Sequence, residues 1–290
     1  MPETIIENTV VAYLDNEDSP DISNPIHSTE VAKAYGFTGP LVGGVTVWGW
    51  ATDTILEALG EDWLWDGWAE YSFRLPTFPG DTLTVRAVLD AEPPSGSWPQ
   101  TGSWNVEMIN QSGEVCVAGK VGLGKAEWSH ELIRPRSMRP TDESPQKETL
   151  TLENAETGKD WAAMKLEYSM EISREFTTQK QRTSNPLFVD HDAVAHPSWT
   201  AGWAEKLLRH NFDIPSSMHT KSRVQHHAKI PIGTSVTGGA HLIDAYERKA
   251  HHFANFDVLL QDQHGSDIAQ LRHWTIFKIA TLEERARSTG

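Results

Sequence analysis

Imidazoles are the first side chains in this sequence that could do chemistry, and eleven of the 13 histidines lie from His191 onward. A crowd of histidines invites a metal site, but the spacing opposes one. His226-His227 and His251-His252 fall in β-like stretches, where successive side chains point to opposite faces, so each pair is split between two surfaces. No His-Glu-x-x-His and no tight carboxylate triad accompanies them or His191, and no metal ligand set is read. The single cysteine, Cys116, allows neither a thiolate cluster nor an intramolecular disulfide. Proton transfer and hydrogen bonding are the roles left. His219 and His273, with Ser222, are expected to line a pocket of the second half by hydrogen bonding. His196-Pro197 sets an imidazole at a helix start, where the positive end of the dipole lowers its pKa and suits it to act near neutrality.

The elements that would position these groups come in two copies. Gly49-Trp50-Ala51 recurs as Gly202-Trp203-Ala204, 153 positions later; at the same spacing Gly43-Gly44 falls on His196-Pro197, and the stretch 79–85 falls on 232–238. Upstream, Asn24-Pro25-Ile26-His27 matches Asn185-Pro186-Leu187-Phe188 at a spacing of 161, which places an eight-residue deletion in the second copy between Phe188 and His196. Each copy reads as a helix, over Leu41–Leu59 and Pro197–His210, followed by strands. The strands are expected at Phe73–Leu75, Thr82–Leu89, Trp104–Ile109 and Val115–Val121, then at Arg223–Lys229, Ser235–Tyr246, Ala250–Leu260 and Ile268–Ile279. A Pro-rich linker, 129–165, joins the first copy (1–128) to the second (166–290). A helix and an antiparallel meander, twice, make an α+β protein in which each sheet wraps its own helix.

Charge narrows the class of partner. The chain carries 25 Lys and Arg against 40 Asp and Glu, with a formal net charge of −15, which argues against nucleic acid. The imbalance sits in residues 1–128, with a net charge of −14, whereas 166–290 is neutral and would better receive an anionic ligand. The N-terminus has no secretory pattern and no run of about 18 apolar residues occurs, so a cytoplasmic, non-membrane protein is expected.

Asn24-Pro25-Ile26-His27, Ala32, Gly36-Phe37, Pro40-Leu41-Val42-Gly43-Gly44 and Phe78-Pro79-Gly80-Asp81-Thr82-Leu83 together resemble the MaoC-like dehydratases, which include (R)-specific enoyl-CoA hydratases. The resemblance spans most of 20–123 and, more faintly, 185–280. It implies a double hotdog: two tandem hotdog folds in one chain, each an antiparallel sheet around a central helix. It also implies a hydro-lyase that adds water to a trans-2-enoyl thioester or removes it from a 3-hydroxyacyl thioester. The partner would be a small-molecule acyl thioester, with CoA or an acyl carrier as part of the substrate and no further cofactor. A homodimer formed through sheet edges is compatible with it.

The family motif reads Gly-Asp-x-Asn-Pro-Leu-His, with the aspartate and histidine holding the reacting water. By the resemblance, His27 is the base, Asn24 the asparagine, and Gly43 and Gly44 the helix start whose amides polarise the thioester carbonyl. The motif aspartate falls on Ile22, and the nearest acid, Asp21, would have to replace it. The second copy carries Phe188 in place of the histidine, leaving His196 as its candidate catalytic imidazole. Trp48, Trp50, Trp63, Trp65 and Trp68 read as core, with Trp48 offered as a flat wall for a bulky acyl group. Lys221, Arg223, Lys229 and Arg272 are expected to hold the phosphates of the carrier. Two other readings share these residues: an acyl-CoA thioesterase, and an acyl-ligand binder whose lost aspartate records lost catalysis.

Overall fold

The computed structural model describes residues 4–90, 102–144 and 146–288. Among these described residues ten strands form one antiparallel sheet: β1 (Ile5–Val11), β2 (Gly67–Phe73), β3 (Thr82–Leu89), β4 (Trp104–Ile109), β5 (Val115–Leu123), β6 (Asp160–Tyr168), β7 (Met218–His226), β8 (Thr234–Arg248), β9 (His251–Gln261) and β10 (Asp267–Lys278). Their order is β1-β3-β4-β5-β2-β7-β10-β9-β8-β6, so the second five strands repeat the first five in mirror sequence about the β2–β7 junction. Alternation sets the faces: Leu83, Val85 and Ala87 of β3 and Trp104, Val106 and Met108 of β4 are buried inward. The β4–β5 and β9–β10 turns are built alike. The side-chain oxygen of Asn110 accepts the N–H groups of Ser112 and Glu114, and that of Asp262 accepts those of His264 and Ser266. Gly113 and Gly265 take φ of 79° and 80° in these turns, where a Cβ would be strained.

The central helices pack inside, against the sheet. The first half holds α1 (Thr29–Ala34), α2 (Gly44–Gly49), α3 (Thr52–Leu59) and α4 (Trp63–Asp66). The second holds α5 (Met170–Glu175), α6 (Pro186–Val189), α7 (Pro197–Ala201) and α8 (Trp203–Asn211), and α9 (Leu282–Ser288) closes the described chain. Among the described residues no helix is long and apolar enough to cross a membrane. The eight-residue deletion is visible: α1 of the first copy has no counterpart between α6 and α7. Each expected central helix is instead two, broken at the Gly-Trp-Ala triplets. At Gly49 the Gln181 amide lies where a Cβ would stand and donates to the Thr46 carbonyl, wedging the helix open.

The strands β1 and β6, the two edges of the sheet, lie outside the sequence reading, and β2 runs over Gly67–Phe73 and meets the expected strand Phe73–Leu75 only at Phe73. β6 begins at Asp160, inside the stretch expected to be linker. Before it, the chain runs as a strap over the outer face of the second half. Ala126 N–H donates to Gln225, Ile133 N–H to Asp257, Arg136 N–H to Asp160 and Thr141 N–H to the Ala163 carbonyl.

At the junction, Glu70 of β2 faces Arg223 of β7. These residues are 153 positions apart, the spacing of the duplication, so they occupy the axis that relates the copies. Arg223 Nε lies 3.3 Å from Glu70, and Lys221 also pairs with the same carboxylate. Burial raises the Glu70 pKa, but the Lys221 and Arg223 contacts outweigh it and hold the group below the ordinary value. Glu70→Gln is expected to lower the unfolding free energy by about 1 kcal/mol, with the loss shrinking in high salt. Urea denaturation at two ionic strengths reads this; an unchanged midpoint at low salt contradicts it.

Candidate active site

His27 closes a 3-10 turn, Pro25–His27, directly before α1. Its Nδ1 lies 2.7 Å from the Leu41 carbonyl, an acceptor, so Nδ1 carries the proton and Nε2 presents a lone pair. Asn24 Nδ2 donates to that lone pair at 3.1 Å. A Cβ on Gly43, the N-cap of α2, would lie 3.8 Å from Nε2, which puts the lone pair at the start of this helix. Burial lowers the His27 pKa against the opposing pull of the Leu41 carbonyl and the Asp15 and Glu205 carboxylates. The ring is therefore neutral and basic at pH 7.

Two spaces meet here. One, of about 320 Å³, runs along α2, α7 and α8; the other, of about 130 Å³, runs along β2 and the loop that follows it. His27, Gly44, Ser217 and His219 line both. Gly44 is required by its neighbours, since a Cβ there would come within 3.0 Å of Phe73 and 3.1 Å of His219. The first intrahelical bond of α2 runs from Val47 N–H to the Gly43 carbonyl, which leaves the N–H groups at its start to other acceptors.

The second copy supplies a carboxylate to this site. Glu205 of α8 lines the larger space and accepts from Ser217 Oγ at 2.6 Å and Arg209 Nε at 2.7 Å. Burial raises its pKa, but the Arg209 charge and the Ser217 hydroxyl prevail and keep it ionised. Asn24 connects the two ends of the network: its amide contacts both His27 and Ser217 and its oxygen accepts Ser217 N–H. Asp15, also on the wall, accepts from Thr46 at 2.7 Å and pairs with Lys180 at 3.3 Å. Glu205 follows Gly202-Trp203-Ala204 as Thr52 follows Gly49-Trp50-Ala51, so comparing the two triplets one residue further would have singled it out.

Other expected site residues lie elsewhere. Asp21 is exposed and outside both spaces, and its N–H contacts Ser19 Oγ. His196 is only 2% exposed and caps α7, accepting the Ser198 N–H through Nδ1 while its ring packs on Phe188. Burial drives its pKa to about 3, too low for chemistry near neutrality. Trp48 stacks on Tyr71 with ring centroids 4.0 Å apart and belongs to the core. Lys221, Arg223 and Arg272 lie away from the pocket, with their charges met by Glu70, Glu131 and Asp257 under the strap. Lys229 faces Glu61 and the Trp65 ring. Of the groups offered as ligands or catalysts, the structure brings together His27, Asn24, Gly43 and Gly44; His219 and His273, expected in a pocket of the second half, instead line this space beside the first copy's helix start.

Among the described residues the smaller space is open in one copy and closed in the other. The counterpart of the smaller space, lined by Leu64, Val194, Ala195 and Pro197, has shrunk to about 10 Å³. Leu64 stands where Ser217 stands in the open site, Pro197 stands for Gly44 and buried Phe188 for His27.

Solved structures carry the same architecture. A Mycobacterium tuberculosis protein described as a double hotdog superposes with a TM-score of 0.63 at 12% identity, covering 94% of this chain and 96% of its own. The chain is a double hotdog. A MaoC domain protein dehydratase from Chloroflexus aurantiacus matches this double hotdog with a TM-score of 0.60 at 12% identity, over 94% of this chain and 95% of that one. An oleoyl thioesterase from Lactobacillus plantarum gives 0.52 at 8% identity, over 96% and 98%. No protein-family profile and no curated protein matches the sequence.

The buried imidazoles make the double hotdog acid-sensitive. Burial holds His196 at about 3 and His226 and His273 at about 4, against an ordinary value of 6.5. The unfolded chain binds these protons at higher pH than the folded one, so their contribution is full above 6.5 and is lost as pH falls toward 3–4. Each adds a slope of at most about 1.4 kcal/mol per pH unit. His226→Phe, which installs the residue its counterpart Phe73 carries, should flatten the profile of urea midpoint between pH 7.5 and 5. An equal slope in both proteins contradicts this.

Proposed function

We propose that this double hotdog is a hydro-lyase on an acyl thioester, hydrating a trans-2-enoyl group or dehydrating a 3-hydroxyacyl group. The observation that carries the reading is His27: a neutral imidazole, its tautomer fixed by Leu41, aims a lone pair at the start of α2 where two spaces meet. A thioester whose oxygen accepts from the amides at the α2 start would set its acyl group and its carrier arm into these two spaces. Asn24 has two amide protons for three acceptors, so it can release Nε2 to a water and remain bonded to Ser217.

His27 Nε2 then takes a proton from that water as its oxygen bonds to the β-carbon. Electrons move onto the thioester oxygen, where the amides of the helix start stabilise the enolate. Return of a proton to the α-carbon completes the addition, and dehydration runs the same steps backward. Glu205, ionised and joined to His27 through Ser217 and Asn24, favours the imidazolium formed midway. Asp15 of the first copy acts in the same direction, since both carboxylates pull the His27 pKa upward.

A panel of trans-2-enoyl-CoA substrates, followed by loss of enoyl absorbance and by free-thiol release, tests the reading. Loss of absorbance without thiol is expected, reduced on the order of 10²–10⁴-fold in kcat by His27→Ala. Asp21→Asn, at an exposed position, should stay within about twofold of wild type. Thiol release would indicate a thioesterase, and binding without turnover an acyl-ligand binder; either result contradicts the proposal. The acid limb of kcat/KM is expected below pH 6.5, because burial lowers the His27 pKa from that value.

A further inference from the structure

Three polar side chains of the second copy stand at this site without a part in the steps above. His219 Nε2 lies 2.7 Å from Ser222 Oγ, and Ser222 Oγ lies 3.2 Å from His273 Nδ1. The two rings are 4.1 Å apart, and Tyr71 packs its edge against His219. The outward nitrogens, His219 Nδ1 and His273 Nε2, are buried and have no hydrogen-bond partner among the described residues. Both rings line the larger space, and His273 is only 1% exposed. Burying two unpaired imidazole nitrogens is costly unless a ligand completes them. In the first copy the counterparts of Ser222 and His273 are Ala69 and Val121, so the fold does not need polar groups here.

The serine has one proton for two rings. Hydroxyl donors make shorter bonds to their acceptors than ring N–H donors do. The 2.7 Å contact therefore fits Ser222 donating to His219 Nε2, and the 3.2 Å contact fits His273 Nδ1–H donating to Ser222. With Nε2 occupied as an acceptor, a neutral His219 carries its proton on Nδ1. Burial and His273 hold its pKa well below the ordinary value, with the Lys221 backbone acting the other way, so the ring is neutral. That nitrogen lies 3.2 Å from where a Cβ on Gly44 would stand, beside the start of α2 and at the junction of the two spaces.

We propose that His219 is a catalytic residue contributed by the second copy. Its Nδ1–H donates a hydrogen bond to the thioester oxygen alongside the α2 amides, while Ser222 and His273 act as positioning residues that hold it in the Nδ1–H tautomer. No proton is transferred: the bond shortens as charge builds on the oxygen, and a neutral ring is the suitable donor because it need not be deprotonated to return to its ground state. This role rests on the hydro-lyase reading of the site.

Kinetics and nitrogen NMR together test it. His219→Ala is expected to lower kcat by on the order of 10²–10³-fold with little change in KM. His219→Asn, which can still present an N–H, should recover part of the loss. In ¹⁵N-histidine-labelled wild type the ring of His219 should report the Nδ1–H form, and in Ser222→Ala a mixture of tautomers with a smaller fall in kcat. An Nε2–H tautomer in wild type, or His219→Ala turnover within about threefold of wild type, overturns the role of His219 and leaves the hydro-lyase reading standing. Absence of enoyl-thioester turnover in the wild type itself overturns both.

Discussion

The pairing of β2 with β7 is the constraint on which the rest of this structure depends. Strands related by a two-fold axis place one position opposite its own counterpart, and in a dimer of identical chains that position meets itself. A charge there would face a like charge. Duplication within one chain lifts the restriction, and here the axis is occupied by Glu70 on one side and Arg223 on the other. The ion pair itself is partly exposed and modest in energy. Its consequence is larger, because the register it accompanies makes ten strands one sheet and sets Gly44 of the first copy against His219 of the second.

From that contact the two copies diverge in a coordinated way. On one side of the axis, small and polar residues keep a space open: Gly44, His27, Ser217 and, on α8, Glu205. On the other, Pro197 and Leu64 line a space shrunk to about 10 Å³, and buried Phe188 stands at the position of His27. His196 stays polar, yet it serves as a helix cap beneath Phe188 rather than as a reactive group. One half thus supplies His27, Asp15 and the helix start, and the other supplies Glu205 and the imidazole pair. Neither half holds the set alone, which is why a motif search confined to one copy finds an incomplete dyad.

Much of the fold was legible because duplication doubles the signal. A weak triplet such as Gly49-Trp50-Ala51 becomes informative when Gly202-Trp203-Ala204 repeats it with matching flanks, and strands with alternating apolar positions, such as Thr82–Leu89, declare their own inner face. The edge strands β1 and β6 were not legible. β1 is largely exposed, and β6 follows directly on the Pro-rich stretch that masks it. The site was legible where the chemistry is local, at Asn24, His27, Gly43 and Gly44. It was not where partners come from far along the chain: Lys221, Arg223 and Arg272 read as free cations because Glu70, Glu131 and Asp257, which meet them, are distant in sequence. Asp21 is near the motif in sequence but exposed, whereas the carboxylates on the pocket wall are Asp15, further upstream, and Glu205, from the other copy.

The central claim is that one composite site per chain receives the thioester at the junction of α2 and β7. A crystal structure with a saturated acyl-CoA, which cannot be hydrated, tests it most directly. The account predicts one ligand per chain, with the thioester oxygen at the Gly44 amide and His219 Nδ1 and the β-carbon facing His27 Nε2. Density for the acyl group beside Pro197 and Phe188, or for the carrier phosphates on Lys221, Arg223 and Arg272 with the pocket empty, would contradict it.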